Sequence, residues 1–353
     1  MKAKKLTAIL LSAAMAASMF TGCGVNKNAT AATLGSTNVS LGLVNFMVRY
    51  NQAEMDDLYV AYASYFGDDP WNTDIYGTGA TGLEDTEDTI LDTLHEQYTL
   101  AAHMDEYGVA LTDEEEAAIT EAASAFMKAN SRKALNELGA TQDIVEEMLR
   151  LYTIEEKMEA AIKDAAEIEV SDEEANMAGY TVVTYAIDSY YDSDSASYVS
   201  YTDEEVSAIQ ATFVAMKQLV DDGSTLEEAA ETYGLSASYK TYSTYEEDGS
   251  EDTLILMLSQ LSEGEVSEVF STDEDIYIVR LDTLSDADAT AEQMEDLISD
   301  KKSDAYDEVL AAWQEDDGWT VNSSKLSAIQ IKNRFTTTAE TEEESATESV
   351  TEN

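Results

Sequence analysis

A single proline, Pro70, stands in a chain of 353 residues. Proline lacks an amide donor and clashes with the preceding helical turn. Its near absence removes the commonest interruption of a helix, so long unbroken helices and few rigid turns are expected. The apolar spacing agrees. Over 41–66, Leu43, Phe46, Met47, Tyr50 and Leu58 recur at helical intervals. Over 84–107, Ile90, Leu91, Leu94, Tyr98, Ala101 and Ala102 share one face, and Gly108 supplies the stop. Thr112-Asp113-Glu114-Glu115 has the form of a capping box, which predicts a helix over 112–127. Thr141 opens another helix, carrying Ile144, Val145, Met148, Leu149, Tyr152, Ile154 and Met158.

Charge and the rare residues narrow the function. Acidic residues number 73 against 19 basic, a net charge of −54. That nearly rules out nucleic acid as a partner, because phosphate contacts need clustered Lys and Arg. Adsorption to an anionic membrane through a basic patch is disfavoured in the same way. Hydrophobic residues make up 44%, enough for a sizeable core. One cysteine allows neither an internal disulfide nor a Cys-rich zinc site. The two histidines, His95 and His103, lie eight apart on one helix, about 80° apart around its axis, a poor arrangement for gripping one metal ion. Asp192-Ser193-Asp194 and Asp221-Asp222-Gly223 are calcium-like in composition but lack the EF-hand loop and its closing glutamate. There is no Gly-rich phosphate loop and no G-x-S-x-G elbow. No metal and no cofactor is expected.

The character changes near residue 170. Val170-Ser171-Asp172-Glu173-Glu174 carries a second capping box and marks a boundary. The run 180–187 is rich in β-branched and aromatic residues and predicts a strand. A Ser, Asp and Tyr loop is expected over 190–201. Thr202-Asp203-Glu204-Glu205 caps a helix to 220, and Ser224-Thr225-Leu226-Glu227 caps a short one ending at Gly234. Further expectations are a strand over 238–245, a short helix over 254–261, and strands over 266–270 and 276–281. A helix over 290–313 and a small strand over 326–331 follow. The segment 336–353 is almost all Thr, Ser and Glu, an acidic disordered tail. Ten tyrosines lie between Tyr180 and Tyr245. Tyrosine joins apolar area to a polar tip and suits adaptable peptide surfaces, although strand and core packing also use it.

The N-terminus reads as an address. Lys2, Lys4 and Lys5 precede an apolar run over 6–20, too short to span a bilayer comfortably. It ends in Phe20-Thr21-Gly22-Cys23, which resembles the bacterial lipobox, with Phe20 where that pattern usually has Leu. The resemblance implies a signal peptide over 1–22 and lipidation of Cys23 as the first mature residue. Two or three acyl chains would anchor the protein stably at the extracytoplasmic face of the cell membrane. The other reading is an ordinary secretory signal with Cys23 as an incidental thiol.

Two further segments carry a resemblance. They are Gly223-Ser224-Thr225-Leu226-Glu227-Glu228-Ala229-Ala230, and Leu261-Ser262-Glu263-Gly264-Glu265-Val266-Ser267 followed by Ile276-Tyr277-Ile278-Val279-Arg280-Leu281. With the strand and helix before them, this stretch over 180–284 resembles the parvulin-type peptidyl-prolyl isomerase domain. Behind a helical region on a lipoprotein, the layout is similar to PrsA-like foldases and SurA-like periplasmic chaperones. The resemblance implies an α+β fold in four parts. A tether over 23–36 leads to a helical chaperone-like domain over 37–170. A parvulin-like module with a small antiparallel sheet spans 171–286. A C-terminal helix and strand over 287–335 return to the helical domain, ahead of the tail over 336–353. The partners implied are unfolded or newly secreted polypeptides. The family faces two histidines across its sheet, and the matching positions are Tyr185 and Tyr277. Met257 sits where the family offers a side chain to the proline ring, and no Phe accompanies it in Leu254-Ile255-Leu256-Met257-Leu258. Isomerisation needs no covalent step, so tyrosines in place of histidines leave open either a residual isomerase or a module kept for binding. The alternative from another class is a solute-binding lipoprotein of an import system, in which Tyr and Trp would stack on sugars. That class shows repeated βα alternation, which the helical first half here lacks.

Overall fold

The computed structural model describes residues 16–17, 25–245, 252–332 and 335–336. Cys23 and the acidic tail from 337 lie outside the described residues. The fold is α+β, with helices predominating and small antiparallel sheets. The described residues form two compact units. One combines those up to 166 with those from 303 onward; the other is 167–302.

β1 (Ala16–Ala17) is a two-residue strand that pairs antiparallel with the last strand of the chain. β2 (Thr30–Leu34) and β3 (Thr37–Ser40) make a hairpin whose short turn holds Gly35 at φ 54°, a conformation a side chain would strain. This corrects the flexible tether expected over 23–36. Ala31 and Ala32 are buried to 0–1% exposure and Leu34 is buried beside them. Small residues resemble a spacer in composition, but they also let a strand lie close against a helix. That helix is α1 (Leu41–Ala61), capped by the Ser40 hydroxyl, which accepts from the Leu43 amide at 3.1 Å. Every residue over 41–49 is buried, as befits a helix at the centre of its unit.

After the one-turn α2 (Ala63–Phe66), an irregular segment holds Pro70 and Trp71. α3 (Gly82–Ala102) begins two residues before the expected start, at a capping box between Thr81 and Glu84. A 3-10 turn (Met104–Tyr107) carries it to Gly108 at φ 62°. α4 (Asp113–Ala129), α5 (Arg132–Leu138) and α6 (Gln142–Ala165) follow, with Thr112 and Thr141 as N-caps. Phe46, Leu94, Ile119, Phe126, Leu138, Val145 and Leu149 fill the core among them.

The second unit opens with α7 (Asp172–Ala175) and β4 (Met177–Ala186). β5 (Ser189–Asp192) and β6 (Ser197–Ser200) then form a hairpin where a loop was expected. α8 (Asp203–Asp221) and α9 (Leu226–Thr232) carry capping boxes at Thr202/Glu205 and Thr225/Glu228. β7 (Ser238–Ser243), α10 (Thr253–Leu258), β8 (Phe270–Ser271) and β9 (Asp275–Thr283) complete the unit. Its sheet has the order β7-β4-β9-β8 and every pairing is antiparallel. Of the strand expected over 266–270, Val266 keeps only an isolated bridge to Arg280, and β8 begins at Phe270.

α11 (Ala287–Gln314) starts in the second unit and ends in the first. There Tyr306, Val309, Leu310 and Trp313 pack with Leu100, Ile154, Met158 and Ile162. β10 (Trp319–Val321) joins β2 at the edge away from β3. The strand expected over 326–331 is absent. α12 (Ser323–Leu326) occupies its start, and Leu326, Ile329 and Ile331 are buried without strand pairing. β11 (Phe335–Thr336) closes the described chain. No helix among the described residues is long and apolar enough to cross a membrane.

Candidate functional site

The sheet of the second unit has two distinct faces, set by the two-residue period of its strands. β4 and β9 pair so that Val183 faces Ile278 and Tyr185 faces Ile276; Val182 faces Val279 and Thr184 faces Tyr277. Val183, Ile276 and Ile278 are buried beneath α8 and α9, against Phe213, Met216, Leu226, Ala229 and Ala230. The opposite face carries Tyr180, Val182 and Val279, with Leu258 of α10 packed on them. Around that second cluster lie Met257, Phe270, Tyr277 and Tyr242, each half-buried.

Tyr277 and Met257 are therefore brought together, and Tyr185 is not with them. The two tyrosines were expected to face each other across the sheet. The register places them on opposite faces, because Tyr185 shares its face with Ile276 and Tyr277 shares its own with Thr184. The Tyr185 hydroxyl lies 3.2 Å from that of Tyr201. The Tyr277 hydroxyl donates to Asp275 Oδ2 at 3.2 Å. Matching a motif by its neighbours fixes position along a strand only to within a residue, and one residue decides the face.

Sequence reasoning also missed Phe270. It pairs directly with Tyr277 across the β8–β9 hairpin, and the rings stack at 5.2 Å between centroids and 16° between planes. A phenylalanine thus accompanies Met257 after all, supplied by a strand rather than by the short helix. The signal was the tight turn over 272–274, which puts the residues on either side of it in register.

The chemistry of this face is apolar with hydroxyl tips. Burial raises the Tyr277 phenol above its ordinary value, with Asp275 adding to the effect. Burial does the same for Tyr180, helped by Asp252 and Tyr242, and for Tyr242 itself. These hydroxyls remain protonated donors at any physiological pH. On the helix-covered side, Arg280 ties β9 to α9 and β4. Its Nη1 and Nη2 donate to Glu227 at 3.0 and 2.8 Å, and Nη2 also donates to Thr181 Oγ1 at 3.1 Å. That network cross-links β9, β4 and α9 on the side opposite the apolar face.

The remaining candidates have structural roles. His95 Nε2 lies 2.6 Å from Asp317 Oδ2, and its ring stacks on Trp319 at 4.6 Å. His103 Nδ1 lies 2.6 Å from Glu106 Oε1, and its ring stacks on Trp313 at 4.0 Å. Both histidines join α3 to the C-terminal segment of the same unit. Asp192 accepts from the Asp194 amide and the Ser195 hydroxyl within its own turn, and Asp221 pairs with Lys217. Among the described residues no cluster of three or more His, Cys, Asp or Glu could hold a metal ion. A cleft of about 290 Å³ in the first unit is lined by Asp56, Tyr59, Trp71 and Ile331. Trp71 is buried there, donating to Asp56 Oδ1 at 2.7 Å, so its ring is spent on the core and not offered to a sugar.

No protein-family model and no curated protein sequence matches the chain. Solved structures do. One is a SurA-like chaperone of Campylobacter jejuni, at 11% identity and a TM-score of 0.29, covering 84% of this chain and 99% of that one. Another is the foldase protein PrsA of Lactococcus lactis, at 16% identity and a TM-score of 0.31, covering 85% and 97%. PrsA of Streptococcus pneumoniae shows 19% identity and a TM-score of 0.23, covering 74% and 94%. The structural neighbours are SurA-like chaperones and PrsA foldases.

Proposed function

We propose that this chain is an extracytoplasmic, lipid-anchored chaperone of the foldase type. It would hold unfolded or newly secreted polypeptides against the apolar face of its second unit. The observation that carries the reading is the half-buried cluster of Met257, Phe270 and Tyr277 on the sheet face opposite the helices. An apolar side chain of a client, a proline ring included, fits against the Phe270 ring and the Met257 thioether. Turned away from Asp275, the Tyr277 hydroxyl would donate to the prolyl nitrogen of a client, whose lone pair is freed as the amide twists. Burying such a side chain stabilises the complex by about 1.5–3 kcal/mol, enough for weak, exchangeable holding. The rotation barrier of a prolyl bond is about 20 kcal/mol, and a twisted amide is favoured where its carbonyl leaves water. Slow isomerase turnover would follow from the same face without an acid or base.

The test is suppression of aggregation of an unfolded client by the full chain, beside acceleration of Xaa-Pro isomerisation in short peptides. Phe270→Ala is expected to weaken client binding about tenfold, the equivalent of 1.4 kcal/mol. Tyr277→Phe is expected to retain holding and to remove any isomerase acceleration. Tyr185→Phe, on the other face, is expected to change neither. Full holding by Phe270→Ala would discard the site. The anchor has its own test: Cys23→Ser is expected to move the protein from the membrane fraction to the soluble one, and retention at the membrane would refute lipidation.

A further inference from the structure

The β5–β6 hairpin shows aromatic side chains on both of its faces. Tyr190 and Val199 pair on one face, and Tyr201, two residues beyond Val199, continues it. The rings of Tyr190 and Tyr201 lie 4.9 Å apart, and the Tyr201 hydroxyl meets that of Tyr185. On the other face Tyr191 pairs with Tyr198, ring edge to ring face at 5.5 Å. Tyr191 is 58% exposed and Tyr198 75%. A two-stranded ribbon needs one cross-strand aromatic pair for stability, worth at most about 1 kcal/mol. Five tyrosines in and beside one ribbon exceed that need, and exposed aromatic area of this kind marks a binding surface.

The surroundings are of one sign. No Lys or Arg occurs anywhere from Asp164 to Met216. The ribbon carries Asp188, Asp192 and Asp194 at its base and tip, and Asp203, Glu204 and Glu205 begin the helix that follows it. Glu274 approaches from the β8–β9 turn, its carbonyl accepting from the Ile187 amide. Hydrogen bonds from the Asp194 amide and the Ser195 hydroxyl hold the Asp192 carboxyl below its ordinary range, so it stays charged. Aromatic rings presented within a field of carboxylates favour a cation over their faces.

We propose that this hairpin is a docking surface for extended polypeptide segments bearing Lys or Arg. The cationic side chains would lie over Tyr190 and Tyr201 on one face of the ribbon or over Tyr198 on the other, with Asp188, Asp192 and Asp194 supplying the opposing charge. The chaperone reading enters only in taking polypeptide as the partner; the surface and the residues are separate from Met257, Phe270 and Tyr277.

The experiment titrates the full chain with labelled peptides identical except for Lys, Gln or Glu at alternate positions, at low and high salt. The Lys peptide is expected to bind about tenfold more tightly than the Gln peptide at low salt, with the advantage shrinking as salt rises. The decisive variants leave the charge untouched. Tyr190→Ala with Tyr198→Ala is expected to remove most of the Lys preference, whereas the Tyr→Phe pair retains it. Unchanged affinity in the alanine pair would mean diffuse attraction to an acidic protein and would overturn the proposal. Should the alanine pair unfold the ribbon, Tyr191→Lys probes the same surface by repulsion, since it is expected to weaken the Lys peptide specifically. Loss of Lys-peptide binding in Phe270→Ala would place the peptide on the sheet face instead, and would equally overturn it.

Discussion

Replacing Arg49 by Met is expected to lower the stability of the first unit by about 3–5 kcal/mol. Arg49 is only 6% exposed at the middle of α1. Its Nη2 pairs with Glu137 Oε2 at 3.1 Å, and its Nε donates to the Glu137 carbonyl at 3.3 Å. The guanidinium also sits 5.9 Å from the centre of the Phe335 ring. Asp56, further along α1, is buried as well; burial raises its carboxyl above the ordinary range, and hydrogen bonds from Phe335, Trp71 and Gln52 together with the Arg49 charge oppose that rise. Met fills a similar volume, so the loss is electrostatic: Glu137 loses its guanidinium partner and Asp56 loses the nearby Arg49 charge, both in a part-buried setting. Urea unfolding followed by tryptophan fluorescence measures it. Adding Glu137→Gln is expected to recover part of the loss, because the stranded charge is then removed. A single-variant change below about 1 kcal/mol would show that water reaches the pair and screens it.

Glu87→Gln is expected to act in the opposite direction, and only at higher pH. Glu87 is buried in the first turns of α3, and burial raises its carboxyl to about 7, with Asp88 and Glu84 adding repulsion. An unfolded glutamate titrates near pH ~4.3. Between that value and about 7 the folded chain binds the extra proton, so stability falls as pH rises through this window. Below it both states are protonated and the residue is neutral in effect; above it the penalty is constant. The shift corresponds to at most about 4 kcal/mol, and partial access of water brings the expected gain nearer about 1–2 kcal/mol. Thermal unfolding at pH 8 should therefore favour the Gln variant, and the two chains should converge at pH 4. Equal stability at both pH values would mean that Glu87 is solvated in the folded state.

Much of this architecture was legible because helices announce themselves locally. Thr112 with Glu115, Ser171 with Glu174 and Thr202 with Glu205 each form the capping box that their spacing predicts. The strands were harder, because what makes them strands is what they pair with. Thr30–Leu34 is a row of small residues that becomes a strand only through β3, β10 and the helix it lies on. The β5–β6 ribbon has the Ser and Asp content of a loop, and its alternation is visible only once Tyr191 is seen opposite Tyr198. The candidate site was half legible for the same reason. Tyr277 and Met257 were found from their neighbours, but the pairing that adds Phe270 and sends Tyr185 to the far face depends on register.

The second unit is an insertion in the chain of the first, entered at 166–167 and left at 302–303. A polypeptide that emerges from its amino end finishes 167–302 while the first unit is still incomplete. Until the last residues arrive, the pockets that receive Leu326, Ile329, Ile331 and Phe335 stand empty on the N-terminal helices. The unit made first is thus the unit completed last. Its apolar seam cannot close until synthesis ends, which leaves that surface open to other incomplete chains for longer than any surface of the inserted unit.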